Sequence, residues 1–463
     1  MNKRASLIAA VTSPIALEEF ARRLETLVAV PTVSQNPAAT TTIRSYLVDL
    51  LLPDLAEMGF SAAIHENSVA PDLPFLLAER IEDPAAETIL IYGHGDVVEG
   101  METHWKKGLQ PFRTTTRDGR IYGRGTADNK GQHAINIAAL RAVIAARGGL
   151  GFNCKILIEM GEERGSPGLE SLFRDHPDRL RADVLIASDG PRLNAGRPTL
   201  FLGARGSLRF DLTVSYRNDA RHSGHWGGLL RDPGIELAYA LTAISGRTGA
   251  LRVPGWRPDS LTPGIRARIA RCGLGEIASQ IDADWGEPGL TPAERVFGWN
   301  SFAVLALDLG NPATPMAAIA PTARARCQLR FVVGTDPSDI VAALKRHLVD
   351  EGFDTVAVTE VEGTLSPATR LDPANPWVAR VMQSIVETTG AEPDILPNIG
   401  GSIPNHIFAD IAGLPTLWIP HSYRGCHQHA PDEHLPLDIA REGLAVMAGL
   451  FWDIGAAADH PLR

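Results

Sequence analysis

Five short segments of this chain combine imidazole, carboxylate and glycine in ways that suit cation binding and proton movement. They are Gly93-His94-Gly95-Asp96, Gly123-Arg124-Gly125-Thr126-Ala127-Asp128-Asn129-Lys130, Met160-Gly161-Glu162-Glu163, Ser188-Asp189-Gly190 and Cys426-His427-Gln428-His429-Ala430-Pro431-Asp432-Glu433. Taken singly, each has a plain structural explanation. A histidine after a strand is commonly just hydrogen-bonded, a Glu-Glu pair solvated, and an aspartate at a helix start an N-cap. The glycine-rich stretch 123–131 fits neither G-x-x-x-x-G-K-[ST] nor G-x-G-x-x-G, so it is not a phosphate loop. Together, two histidines and three carboxylates form a hard, mixed N/O donor set for divalent metal. Three carboxylates only partly neutralise two divalent ions, and the remaining positive charge favours deprotonating a water, whose pKa a metal lowers to roughly 7. A further carboxylate must stay unbound to carry the proton, and Glu162 beside Glu163 is the natural candidate.

The elements that must position these residues are legible in the hydrophobic pattern. Ile15, Leu17, Phe20, Leu24 and Leu27 share one side of a helix over 15–29, and Ile135, Ala139 and Val143 repeat every four residues along Lys130–Arg147. Short apolar strands are expected at Ile89–Tyr92, Lys155–Glu159, Asp183–Ala187 and Thr416–Ile419. Strands of this kind alternating with helices imply an α/β fold, a mostly parallel sheet with helices on both faces. Ligands in such sheets bind at the carboxyl ends of the strands, where the five segments fall. After Gly203 the pattern changes. Leu208–Ser215 and Arg324–Val332 alternate apolar and polar as half-exposed antiparallel strands do, with helical stretches at Pro233–Ser245 and Pro337–Asp350. The expected organisation is a first part over 1–203, an inserted α+β domain over 204–363, and the first domain resuming over 364–463. The loop-rich segment 251–300, with Trp256, Trp285 and Trp299, has no assigned structure.

Composition limits the function classes. At 463 residues the chain is long enough for two or three units. Hydrophobic residues make up 44% and charged residues 21%, an ordinary globular profile. The formal net charge of −10, with no basic cluster, argues against partners such as nucleic acid or an anionic membrane surface. No apolar run reaches ~18 residues. The start, Met1-Asn2-Lys3-Arg4 followed by Ala5 to Ala10, faintly imitates a signal peptide, but Thr12-Ser13-Pro14 interrupts it, and the expected location is cytoplasmic. Cys154, Cys272, Cys327 and Cys426 are far apart and form no C-x-x-C pair, as reduced thiols would be.

The constellation resembles the M20 family of metallopeptidases, which includes carboxypeptidase G2, succinyl-diaminopimelate desuccinylase and carnosinase-type dipeptidases. The likeness covers nearly the whole chain in order: Gly-His94-Gly-Asp96-Val-Val, Gly-Arg-Gly-x-x-Asp128-x-Lys-Gly, Glu162-Glu163, Ser-Asp189 and His429-x-Pro-x-Glu433. The resemblance implies that Asp128 bridges two divalent metal ions, zinc first and manganese or cobalt next. His94 and Asp189 would complete one ion, and Glu163 and His429 the other. It further implies that Asp96 orients His94 and that Glu162 acts as general base and then acid.

The inserted domain would be the family's lid or dimerisation domain, on the strength of Gly203-Ala-Arg205-Gly206 and His222-Ser-Gly224-x-x-Gly-Gly228. There the resemblance makes His222 a residue that reaches the neighbouring subunit of a homodimer and polarises the scissile carbonyl. Arg330 would bind a substrate carboxylate, a task suited to a guanidinium fork, and Gly401 and Ser402 of the Gly400–Pro404 loop would touch it too.

Two features depart from the pattern. Ala318 stands where many members have asparagine, with Asn311 a conceivable substitute. Asp189 occupies a position that is glutamate in many deacylases and carboxypeptidases of the family and aspartate in many dipeptidases and aminopeptidases. The expected activity is therefore hydrolysis of an amide bond in a small carboxylate-bearing substrate, a dipeptide first and an N-acyl amino acid or an unusual amide next. A catalytically silent binding protein on the same fold is the remaining class. His421, His427 and His434 are rival ligands to His429, which is preferred for its spacing to Pro431 and Glu433, and Cys426 is read as a buried structural thiol.

Overall fold

In a computed structural model the chain is described over residues 3–457. Met1 and Asn2 of the signal-like start lie outside the described residues; from Lys3 the chain forms a helix, Lys3–Val11. No helix among the described residues is long and apolar enough to cross a membrane.

The chain forms two compact units. One runs up to Leu202 and includes Leu371–Ile395 and the chain from Pro404 on; the other comprises Gly203–Arg370 and Leu396–Ile403. The sequence-based boundary at 363/364 therefore falls short of the contact boundary, and residues 396–403 group with the insertion. The cause is backbone pairing: Ala204 and Thr369 bond to each other, Ser207 pairs with Ser366, and Ala204 bridges Ile399.

In the first unit four parallel strands make the centre of an eight-stranded sheet. Asn153–Glu159, Thr88–His94, Val184–Ala187 and Thr416–Trp418 lie side by side in that order. Ser61–His65 and Phe75–Arg80 add antiparallel strands at one edge, and Thr199–Phe201 and Asp394–Leu396 close the other. Period-two alternation divides the side chains between two faces. Ile89, Ile91, Ile156, Ile158, Val184 and Ile186 join one core with Ile135, Ala139 and Val143 of the helix Lys130–Arg147. On the opposite face Tyr92 meets Phe408 and Trp418, and Phe408 meets Phe173 of the helix Leu169–Asp175. Both faces are covered, so the central strands read as continuous apolar runs rather than alternating ones.

The ends of the flanking helices follow local rules. Ser13 Oγ accepts from Ala16 N and Pro14 occupies the first position of Pro14–Val28. The helix Lys130–Arg147 ends at Gly148, whose φ of 87° is the left-handed conformation that glycine adopts without penalty. The four cysteines form no disulfide.

The second unit is α+β. Its four-stranded antiparallel sheet has the order Ser301–Asp308, Thr322–Phe331, Gly206–Ser215, Val356–Glu360. Leu208, Phe210, Leu212 and Val214 turn inward at alternate positions against the helices Pro233–Ile244 and Ile340–Asp350. The segment 251–300 supplies Val253 and Trp256 to this core and carries the helices Pro263–Cys272 and Pro292–Phe297. The edge strand Ser301–Asp308 is exposed along most of its length, including Val304, Leu305 and Leu307.

Candidate active site

The carboxyl ends of the parallel strands bring the five motifs of the first unit together. Thr88–His94 ends on His94, which is fully buried. Its Nε2 lies 3.1 Å from Asp128 Oδ1 and 3.9 Å from Asp189 Oδ2. Its Nδ1 faces Asp96, 3.0 Å from the backbone oxygen and 3.2 Å from Oδ1. The carboxylate of Asp96 also accepts from the backbone N–H groups of Glu162 at 3.2 Å and Glu163 at 3.1 Å. One buried carboxylate thus ties the orientation of His94 to the turn after Asn153–Glu159.

On the other side of Asp128, Oδ2 lies 3.1 Å from His429 Nε2, which is also 3.1 Å from Glu163 Oε1. His94, Asp128 and Glu163 each offer a ligand atom within 4.8 Å of the others. Asp189 is held by the Gly190 N–H at 2.6 Å. Glu162, partly open to solvent, has its carboxyl crowded by the same group.

The electrostatics suit positive charge at the centre. Burial, then the charge of Asp128, pushes the Glu163 carboxyl up to about 7 and that of Asp189 up to about 6. Burial and the neighbouring carboxylates raise Glu162 well above the ordinary range, although His94 opposes this. Burial works against Asp128, yet hydrogen bonds from His429 and His94 hold it below the ordinary range. His429, with Nε2 3.1 Å from carboxylate oxygens of both Asp128 and Glu163, is raised to about 11.

Two observations show that these residues fit divalent cations. Imidazole and carboxylate atoms 3.1 Å apart are close to the separation of about 3.3 Å that two ligands take around a tetrahedral ion bound at about 2.0–2.1 Å. Glu163 Oε1 is buried and, despite the nearby His429 nitrogen, has no aligned hydrogen-bond donor.

The rival histidines lie elsewhere. His427 is exposed with Nδ1 beside Pro431 O, His434 Nδ1 bonds Asp432 O, and His421 is buried, with burial lowering it to about 3. The cluster among the described residues is His94, Asp128 and Glu163; His429 is outside it too but has Nε2 3.1 Å from Asp128 and from Glu163. Cys426 is buried, and its burial pushes the thiol up to about 12, an inert state.

Four expected site residues belong to the second unit. Arg330 Nη1 donates to Ser402 Oγ at 3.1 Å, and that hydroxyl donates to Arg205 O at 2.9 Å. Arg330 has no salt-bridge partner among the described residues and keeps donors for an anion. A Cβ at Gly401 would meet nothing within 4 Å, so packing does not demand glycine there. His222 is exposed, its Nδ1 accepts from Gly224 N at 3.1 Å, and its backbone pairs with Ala318.

Sequence reasoning missed several supporting residues. Asn129 Nδ2 donates to Ser188 O at 2.8 Å and its Oδ1 accepts weakly from His94 N, linking three motifs. Lys130 is fully buried, with Nζ donating to Leu27 O and Val30 O. Glu159 Oε1 accepts from Tyr92 Oη at 2.6 Å and Ser166 Oγ at 3.0 Å beneath the Glu162-Glu163 turn. Asn129 and Lys130 sit inside a motif already singled out; nothing in the pattern marked Glu159.

An open α/β sheet with buried imidazole and carboxylate groups at its carboxyl edge has the plan of a hydrolase with candidate metal ligands. Peptidase family M20/M25/M40 matches residues 90–453, and the chain belongs to that family. A beta-Ala-His dipeptidase of Rattus norvegicus is 26% identical over 430 residues, covering 87% of this chain and 84% of the relative. A cysteinylglycine-S-conjugate dipeptidase of Corynebacterium striatum is 28% identical over 365 residues, 76% of each chain. The crystal structure of human carnosine dipeptidase 1 superposes with a TM-score of 0.77 at 23% identity, covering 98% of this chain and 99% of that one, a likeness of fold.

Proposed function

We propose that this hydrolase is a dinuclear metal-dependent dipeptidase that cleaves the amide bond of a small substrate bearing a free carboxylate. The observation that carries the reading is Asp128, whose two carboxylate oxygens each lie 3.1 Å from a different imidazole, as a bridging ligand requires. His94 and Asp189 serve one cation and Glu163 and His429 the other, zinc being the first expectation and manganese or cobalt the alternatives. Bound there, the ions supply Lewis acidity that polarises the scissile carbonyl and lowers the pKa of the attacking water to roughly 7.

The remaining work belongs to side chains. Asp96 holds Nδ1 of His94 so that Nε2 points at the cluster. A carboxylate oxygen of Glu162 takes the proton of the attacking water as the new C–O bond forms. It then gives that proton to the leaving nitrogen as the C–N bond breaks, so the amine departs neutral. Arg330, with Gly401 and Ser402 beside it, takes the substrate carboxylate. The names of the similar dipeptidases and the aspartate at 189 favour dipeptides over N-acyl amino acids.

The test is hydrolysis of a mixed library of dipeptides and N-acyl amino acids, read by mass spectrometry with added Zn²⁺ or Mn²⁺ and a chelator control. Dipeptide cleavage that stops on chelation is expected. Cleavage of acyl amino acids alone would move the assignment to a deacylase, and chelator-insensitive turnover would remove the metal from the mechanism.

The working form in this reading is a cytoplasmic homodimer. Its support is the exposed apolar edge strand Ser301–Asp308, together with Ile235 and Tyr239 exposed on the helix Pro233–Ile244. A long apolar edge is a template for pairing, and a second copy of the same strand is self-complementary to it. The partner subunit's His222 then stabilises the oxyanion. Mixed His222→Ala and Glu162→Ala proteins, each nearly inactive, are expected to recover about a quarter of wild-type turnover, because random exchange makes half the dimers mixed and each carries one intact site. No recovery in demonstrably exchanged heterodimers would refute a shared site.

A further inference from the structure

Glu433 is a carboxylate that the mechanism above does not use, and it is completely buried. Its Oε1 accepts three backbone N–H groups of the segment that carries Asp128: Gly125 at 3.0 Å, Ala127 at 2.9 Å and Asp128 itself at 3.0 Å. Its Oε2 takes Nη1 of the buried Arg124 at 2.7 Å, and its backbone oxygen accepts from Gly123 N at 2.9 Å. The turn 123–128 therefore wraps one oxygen of Glu433 with convergent amides, the concavity that backbone N–H groups form around an anion.

Glu433 also ends the loop that presents His429. That loop contains three non-glycine residues in the left-handed region, His427 at φ 59°, His429 at φ 57° and Asp432 at φ 63°. Such conformations persist only where the surroundings impose them. One anchor is Asp432, which accepts from Lys106 N at 2.9 Å; another is the pairing of His434–Pro436 with Arg120–Tyr122; the third is Glu433. Of the three, only Glu433 bonds the peptide that bears Asp128.

We propose that Glu433, neutralised by Arg124, is the positioning residue that sets the separation of Asp128 from His429 and so the affinity and geometry of the metal centre. The inference rests on the proposed roles of Asp128 and His429 as ligands. Because Arg124 balances its charge and four donors fill its oxygens, Glu433 acts as an internal anion and not as a ligand. The four hydrogen bonds are charge-assisted and shielded from water, the condition in which they order a loop most strongly. An amide at this position keeps one acceptor but turns an NH₂ group toward either Arg124 or the backbone N–H groups.

The experiment compares Glu433→Gln, Glu433→Asp and Asp128→Asn as purified full-length proteins. Each is stripped with chelator and titrated with Zn²⁺ or Mn²⁺ by calorimetry, then assayed at saturating metal. Glu433→Gln is expected to bind metal about 10–100-fold more weakly, with kcat down at least about tenfold and KM within about threefold. Glu433→Asp keeps the charge beside Arg124 but is one methylene short of the turn; a loss of about tenfold in metal affinity is expected, and this variant decides the matter if the amide fails to fold. A lowered melting temperature of the metal-free variants with wild-type metal affinity and kcat would assign Glu433 to folding alone and overturn the proposal. Asp128→Asn separates the two layers: if it loses metal while both Glu433 variants keep it, only the positioning role fails. If Asp128→Asn itself binds metal as the wild type does, the ligand assignment fails and takes this proposal with it.

Discussion

Replacing Glu162 with glutamine is expected to lower kcat by about three orders of magnitude while the protein keeps its metal. The substitution is nearly isosteric, and among the described residues no side-chain hydrogen bond of Glu162 anchors the fold, so loss of structure is not the cause. What disappears is the oxygen that accepts a proton. Burial and the surrounding carboxylates raise this acid above the ordinary range in the metal-free protein, with His94 opposing them. A thousandfold loss corresponds to about 4 kcal/mol of transition-state stabilisation, within the range assigned to a single proton-transfer group. Steady-state kinetics and metal analysis of the same preparation check it. Near-normal kcat in a metal-replete Glu162→Gln protein would require another base.

Asp128→Asn is expected to cost more, because it removes binding as well as chemistry. Asp128 carries two oxygens directed at two different imidazoles, and an amide replaces one of them with an NH₂ group that cannot ligate. In the proposed centre the remaining donors, His94 with Asp189 and Glu163 with His429, would lose the group common to both sets. Metal content is expected to fall to about one ion or none per chain, with turnover below about one part in a thousand of wild type. Circular dichroism should show an intact fold, since the backbone N–H of Asp128 is held by Glu433 rather than by its own side chain. Two tightly bound ions per chain in Asp128→Asn would end the bridging assignment.

The apolar runs at 89–92, 155–159 and 416–419 and the four-residue spacing in Lys130–Arg147 were enough to draw a parallel sheet and its covering helix, because these signals are local and repeat along the chain. The alternation of Leu208, Phe210, Leu212 and Val214 likewise announced an antiparallel sheet with one face buried. The candidate ligand types were legible for the same reason: carboxylates and imidazoles flanked by glycine at strand ends have few other uses in such number.

The loop 396–403 could not be placed from its composition, since it joins the inserted unit through a backbone bridge between Ala204 and Ile399 that no residue type records. The segment 251–300 lacked periodicity because it packs through scattered residues such as Val253 and Trp256. His429 was preferred over three nearby histidines on spacing alone; spacing does not record its left-handed backbone or the 3.1 Å approach of its Nε2 to Asp128 and Glu163.

By itself, then, the sequence determined the class of fold, the central strands and the inventory of candidate ligand residues, because hydrophobic period and side-chain chemistry are properties of short stretches. Only the tertiary structure decided which of those residues meet and what holds them. Glu433 reaching amides more than 300 positions away, Glu159 taking the Tyr92 hydroxyl and Asn129 between three motifs are hydrogen bonds to backbone or to distant side chains. Such bonds exist only once strands far apart in sequence have paired, and every residue supplies the same backbone groups, so no local pattern could have announced them.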